Sequence, residues 1–166
     1  MDIITNSLAA MIAYDAGDPR RIHHLLKVHD FVRIIGQGES LDPHTQQVLE
    51  LAAVTHDIGI RNSERKYGNA AGTHQQVEGP PEAEKLLAEL GIAPQSIARI
   101  CWLIAHHHTY DDIRDIDHQI LVEADFLVNL YEDGSSTDAI RRVREMIFRT
   151  GTGLRILDQM FGSHAP

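Results

Sequence analysis

Apolar residues recur at helical spacing along almost the whole of this 166-residue chain, and no stretch of any length alternates apolar and polar residues as a strand does. This periodicity predicts an all-α protein, and the length fits one domain that spans residues 1–166. Asp42-Pro43 is a typical helix start, and Gly36 suits a helix end. The predicted helices cover 3–13, 20–35, 42–56, 80–91, 94–107, 118–131, 137–149 and 153–161.

One stretch does not follow the helical pattern. Residues 59–79 contain almost no aliphatic side chains, and the Pro80-Pro81 pair reads as the start of the next helix. A long irregular segment inside a compact domain is usually a lid or a binding loop. We therefore predict a functional loop at 59–79.

The charge balance restricts the partners. The chain has 15 Lys and Arg against 24 Asp and Glu, a net charge of −9, so it should repel nucleic acid. No apolar run is long enough to cross a membrane, and the N-terminal segment lacks the basic region of a signal peptide. A single cysteine, Cys101, fits a reducing compartment. These features predict a cytoplasmic protein that binds neither a membrane nor a nucleic acid polymer.

Three predicted helices each carry an ionisable residue on the apolar face. His24 shares its stripe with Val28, His56 ends the stripe of the third helix, and Asp125 lies on a face that should be buried. A buried carboxylate needs a partner or a metal, and Asp57 follows His56 directly. A lone histidine on an apolar face is more often an ordinary core residue. All four residues together indicate a site for a divalent cation, in which His23 or His29 are alternatives to His24.

The order of these residues resembles the H…HD…D signature of the HD superfamily. His24 lies in HLLKV, His56-Asp57 in LAAVTHDIGI and Asp125 in LVEADFLVNL, and the similarity covers about residues 20–132. The resemblance implies a helical bundle in which these four residues hold one divalent ion (Mn, Mg, Fe, Ni or Zn). It also implies hydrolysis of a small phosphate ester, often nucleotide-like, by metal-activated water. Helices in 135–162 would follow this core.

A second metal is suggested by the same resemblance. The sequence IAHHHTYD is similar to the His-His element of two-metal members, with His106 and His107 in the matching places. Where those members have another histidine, EGPPEA supplies Glu78, and a carboxylate can replace imidazole at Mn, Mg or Fe. The alternative is that His106 and His107 contact the substrate phosphate or protonate the leaving group.

Catalytic and substrate-binding roles follow as expectations. Asp57 could orient the attacking water or act as its base. The substrate phosphate could be bound by a local cluster of cations, although each of them alone could equally be a solvated surface residue. This cluster consists of Lys27, Arg61, Arg65 and Lys66.

Two other functions are consistent with the same residues. Some HD-like proteins hold two irons and use dioxygen to cleave carbon bonds, and Glu78, His106 and His107 would suit a second iron. A non-catalytic sensor that binds a nucleotide-like ligand is the other reading. The basic helix 139–149 could form a homodimer surface, although a solvated face is the commoner role of such a charge run.

Overall fold

The computed structural model describes residues 2–162, and within this range it contains nine α-helices and no strand. The all-α prediction is therefore confirmed. The helices are α1 (Ile3–Tyr14), α2 (Pro19–Gly38), α3 (Pro43–Thr55), α4 (Ile60–Tyr67), α5 (Gly72–Glu89), α6 (Pro94–His106), α7 (Ile116–Glu132), α8 (Thr137–Met146) and α9 (Gly151–Phe161).

Local chemistry explains several helix starts. The side chain of Asp18 accepts a hydrogen bond from the backbone N–H of Arg21, and Asp42 does the same for Thr45. Each of these caps precedes a proline at the first helical position. Proline lacks a backbone N–H, and no hydrogen bond is lost there because the N–H groups of the first turn have no partner within the helix. The entry into α2 and α3 is therefore encoded locally.

The prediction that Gly36 ends the second helix was wrong, because α2 continues through Gly38. Gly36 has a different use. A Cβ at this position would lie 2.1 Å from Oε1 of Gln46 on α3, so the glycine leaves room for the Gln46 side chain between α2 and α3.

The predicted loop at 59–79 was also wrong. Most of it is helical: α4 ends at Tyr67, before Gly68 with a φ of 71°, and α5 begins at Gly72. Pro80 and Pro81 lie inside α5 rather than at its start. A Cβ on Gly59 would lie 2.6 Å from the backbone nitrogen of Gly79, so the start of α4 is packed tightly against α5.

One hydrophobic core joins the helices. Helix α2 packs against both α3 and α7, and α5 packs against α6. Fully buried aliphatic side chains from α2, α3 and α7, among them Val28, Leu49 and Leu121, line the contact. Because α2, α3 and α7 share this core, polar residues on their apolar faces lie close to one another.

The C-terminal helices rest on the same core, where α9 contacts α2 and α7. Glu123 on α7 is fully buried, and its carboxylate accepts hydrogen bonds from the backbone N–H groups of Arg149 and Thr150. On α8, Arg141 pairs with Asp138 and Arg144 pairs with Asp158.

None of the helices in residues 2–162 combines the length and apolar character that a membrane crossing requires.

Candidate metal centre

His24 lies at the centre of a polar cluster between α2, α3 and α7. Its side chain is buried, and Nε2 lies 3.3 Å from Nε2 of His56. The same atom lies 3.2 Å from Oδ1 of Asp125 and 3.5 Å from Oδ2 of Asp57. Four side chains from three places in the chain thus point at one small volume.

His56 and Asp57 enter this volume from the end of α3. His56 is the C-cap residue of the helix, and its Nδ1–H donates to the carbonyl of Ala53 at 2.7 Å. Its Nε2 lies 3.4 Å from Oδ2 of Asp57. Because the helix ends here, two consecutive side chains can face the same point.

Asp125 approaches the cluster from α7, which packs against α2 and α3. Its carboxylate is buried, and Oδ1 lies 3.7 Å from Nε2 of His56 and accepts a hydrogen bond from Nδ2 of Asn129 at 2.8 Å. Asn129 is one turn further along α7, so the two side chains lie on the same helix face.

A second layer of groups orients the two imidazoles. Nδ1 of His24 lies 3.1 Å from Oε2 of Glu132, and the other oxygen of Glu132 accepts from Lys27 at 2.5 Å. With Nδ1–H bound to an oxygen in each ring, Nε2 of both His24 and His56 faces the carboxylates. Once Nε2 has lost its proton, its lone pair is therefore directed at the place where a cation would bind.

The electrostatics reflect this crowding. Burial alone would lower the pKa of His56, but the carboxylates of Asp57 and Asp125 raise it to about 9. Burial opposes ionisation of both carboxyl groups as well, yet the imidazoles of His56 and His24 hold the pKa of each well below its usual range. Protons on the imidazoles thus supply the positive charge that the two carboxylates require.

The donor set fits a divalent cation. One ligand atom from each of His24, His56 and Asp57 lies within 4.8 Å of the others, and Asp125 adds an oxygen beside them. Two imidazole nitrogens with two carboxylates suit Zn, Fe, Ni or Mn. A bound cation would satisfy all four groups without protons.

The other two histidines of α2 have different surroundings. Nε2 of His29 is buried and lies 3.0 Å from Oε2 of Glu50, away from the cluster. His23 is exposed. Of the three candidates for the first ligand, the structure brings only His24 to the group.

A second possible ligand group adjoins the first. It comprises Asp57, His107 and His108. His107 is fully buried; its Nδ1–H donates to the carbonyl of Ile104, while Nε2 has no hydrogen-bond partner and lies 3.7 Å from Oδ1 of Asp57. Burial and the neighbouring His107 lower the pKa of His108 to about 4, so its ring is neutral. An unpartnered buried nitrogen facing a carboxylate fits a cation between them.

The structure does not bring His106 or Glu78 to this second group. Nδ1 of His106 lies 2.7 Å from the carbonyl of Trp102, and its ring stacks on the indole. Glu78 is bound by Lys66 at 2.6 Å and by Tyr67 at 3.0 Å. His106 is the last residue of α6, and its side chain points to the Trp102 side of this helix. The turn that follows directs His107 and His108 toward Asp57 instead.

Three of the four cations expected to bind phosphate contact other groups instead. The Arg61 guanidinium lies over the Tyr14 ring, Arg65 donates to Asn62, and Lys66 pairs with Glu78. Because 60–67 is a helix rather than a loop, these three side chains contact residues outside the cavity over the metal-ligand cluster. Lys27 is close to the site but is paired with Glu132.

A cavity of about 420 Å³ opens over the metal-ligand cluster. Two arginines at the start of α2, Arg20 and Arg21, line it. Arg21 forms ion pairs with Asp18 and with Glu64, and its Nη2 lies 2.6 Å from Oε1 of Glu64. The lining includes Asp18, Arg20, Arg21, His24, Asp57, Ile60, Glu64, Ala70, Gln75, His108, Asp125, Asn129 and Glu132.

Several of these residues were missed by sequence reasoning although a signal existed. Asn129 and Glu132 follow Asp125 at i+4 and i+7, and Arg21 precedes His24 by three residues, so each shares a helix face with a proposed ligand. Gln75 gave no such signal, because its helix was not predicted.

Residues 21–140 match a protein-family model described as the HD domain. No curated protein matched the chain, and no solved structure did.

Proposed function

Because this chain belongs to the HD-domain family, we propose that it is a metal-dependent phosphohydrolase that cleaves a small, nucleotide-like phosphate ester. The observation that carries the proposal is the convergence of His24, His56, Asp57 and Asp125 on one point beneath an open cavity. The net charge of −9 favours a small substrate over a nucleic acid polymer.

The proposed ligands of the cation are those four residues. A divalent cation bound there supplies Lewis acidity toward a phosphoryl oxygen and lowers the pKa of water. The protein contributes preorganisation: Ala53 and Glu132 fix the two imidazoles, and Asn129 fixes the carboxylate of Asp125.

Asp57 is proposed as the catalytic carboxylate. It lines the cavity, and its two oxygens face different ways, Oδ2 toward His24 and His56 and Oδ1 toward His107. A carboxylate in this position can hold one oxygen on the ligand cluster and use the other to orient a water molecule for attack on phosphorus.

Arg21 is proposed to bind the scissile phosphate. It lines the cavity together with His24 and Asp57, and its guanidinium already holds carboxylates of Asp18 and Glu64. An arginine presents a planar fork of donors that matches a phosphate in the same way as a carboxylate. A phosphate entering the cavity would exchange with Glu64, whose side chain is half exposed.

The test combines metal analysis with a substrate panel. We expect at least about one divalent ion per chain and phosphate release from esters in the presence of that ion. Asp57→Ala should lose both bound metal and turnover, whereas Asp30→Ala, which removes an exposed carboxylate (72% exposed) on α2, should retain them. An active, metal-free Asp57→Ala protein would contradict the proposal, and tight ligand binding without turnover across all metals would favour a sensor.

A second cation between Asp57, His107 and His108 is favoured by the unpartnered Nε2 of His107. His107→Gln should then lower the metal content from about two ions to about one per chain, while the control His44→Gln, an exposed histidine on α3, should not. Two irons with oxygen consumption and no phosphate release would favour the oxygenase function instead.

A further inference from the structure

A second depression adjoins the cavity above the metal-ligand cluster. Its volume is about 450 Å³, and it is lined by Pro19, Arg20, His23, Lys27 and Glu132. Arg20 and Glu132 also line the first cavity, so the two spaces meet at these side chains. A single ligand could therefore occupy both.

Basic residues dominate the second depression. Arg20, His23 and Lys27 follow one another at i, i+3 and i+7 on α2, which places them along one helix face over about 10 Å. Arg20 and His23 are exposed, and neither side chain has a hydrogen bond or an ion pair within the described residues 2–162. The side chains that could receive an anion are thus free to do so.

The one acidic residue of the depression is already neutralised. Glu132 has one oxygen against Nδ1 of His24 and the other against Nζ of Lys27. The ammonium group of Lys27 carries three protons, and its contact with Glu132 uses one of them, so further donors remain for a ligand. The depression therefore keeps a positive character in a chain whose net charge is −9.

From this geometry we infer that Arg20, His23 and Lys27 form a second anion subsite, which binds a phosphate group of the substrate other than the one that is cleaved. The inference rests on the proposed function, since it places the scissile phosphate beside Arg21 and Asp57. It narrows the substrate class to small molecules that carry at least two phosphate groups. A simple phosphomonoester would fill only the first cavity.

The experiment compares matched ligands on the metal-loaded protein. The probes are a nucleoside 5′-monophosphate, the same nucleoside 5′-diphosphate and its 3′,5′-bisphosphate, in calorimetric binding and in phosphate release. We expect at least one of the two doubly phosphorylated probes to bind about tenfold tighter than the monophosphate, which corresponds to one charge-assisted contact. Equal affinity for all three probes would overturn the subsite.

Two substitutions locate the preference. Arg20→Gln and His23→Gln should each reduce the preference for the second phosphate several-fold, and they leave the Lys27–Glu132–His24 contacts in place. The control for Arg20→Gln is Arg33→Gln, which removes the same charge from an exposed position on the same helix. If Arg33→Gln reduces the preference equally, the effect is overall charge and the subsite is wrong.

Binding and turnover separate the two claims. Preferential binding that depends on Arg20, with no hydrolysis under any metal, would support the subsite and contradict the phosphohydrolase. Hydrolysis without any preference for a second phosphate would support the phosphohydrolase and contradict the subsite.

Discussion

Glu132 holds the His24 imidazole from the side opposite the ligand cluster, with its Oε2 3.1 Å from Nδ1 of the ring. The two residues are 108 positions apart in the sequence and meet because α2 and α7 pack along their length. This contact fixes the direction of Nε2, so the affinity for a metal should depend on a residue that does not touch the metal.

Replacing Glu132 should therefore weaken metal binding without unfolding the protein. We expect Glu132→Gln to lower the affinity for the first cation by about 10- to 100-fold, since the neutral amide gives less support to the imidazole. Competition with a chromogenic chelator measures this. The control is Glu89→Gln, an exposed position on α5. Unchanged affinity in Glu132→Gln would mean that the contact does not orient His24.

Metal binding should release protons near neutral pH. In the metal-free protein the pKa of His56 is raised to about 9 by Asp57 and Asp125, so this ring is protonated at pH 7. A metal binds only the neutral ring, and the apparent affinity should therefore rise with pH until about 9. Calorimetry in buffers of different ionisation enthalpy counts the protons. Binding at pH 7 without proton release would contradict this assignment.

The same shift predicts how the stability of the metal-free protein depends on pH. A raised folded-state pKa means that the contribution of His56 is complete below its ordinary value of 6.5 and is lost as the pH rises through about 9. The lowered pKa values of Asp57 and Asp125 act in the opposite direction, so their contribution is lost as the pH falls below the ordinary value of 3.8. Denaturant unfolding of the metal-free protein across pH 3 to 10 tests both limbs.

The close approach of α4 to α5 should make Gly59 sensitive to any side chain. A Cβ there would meet backbone atoms of Gly79 and Gln75, which cannot move aside as a flexible side chain could. We expect Gly59→Ala to lower the free energy of unfolding by about 1–3 kcal/mol. Gly151→Ala is the matched control: its Cβ would have only Glu39 Oε1 nearby, at 3.8 Å, and its stability should be unchanged or slightly higher. Equal stability of the two variants would contradict the packing argument.

Burial of Glu123 should anchor the C-terminal helices. Its carboxylate accepts bonds from two backbone N–H groups and from the Thr150 hydroxyl before α9. Glu123→Ala leaves these buried donors unsatisfied, so we expect a loss of about 2–4 kcal/mol in the free energy of unfolding. Thermal unfolding measures it, with the exposed Glu145→Ala as control. A loss in Glu123→Ala no larger than that in Glu145→Ala would show that α9 is held by other contacts.

The sequence could predict the elements with a clear amphipathic pattern. His24 and Asp125 lie within apolar stripes of period 3.6, so their burial followed from the period alone, and the resemblance to the HD signature is confirmed by the family match over residues 21–140. The segment 59–79 lacks such a stripe. Its two helices approach closely at Gly59 and Gly79, which are twenty residues apart, and no local signal reports this contact.

The sequence by itself thus determined the helical class of the fold and the set of residues with metal-binding chemistry, because both depend on local spacing and residue type. Only the tertiary structure decided which neighbours share a site. His108 lines the cavity and His106 contacts Trp102, because α6 ends between the two histidines. Arg21 rather than Arg61 lines the cavity, because the Arg61 side chain on α4 lies over the Tyr14 ring. Rotation about a helix axis and the exact residue at which a helix ends are set by packing, which the order of residues does not reveal.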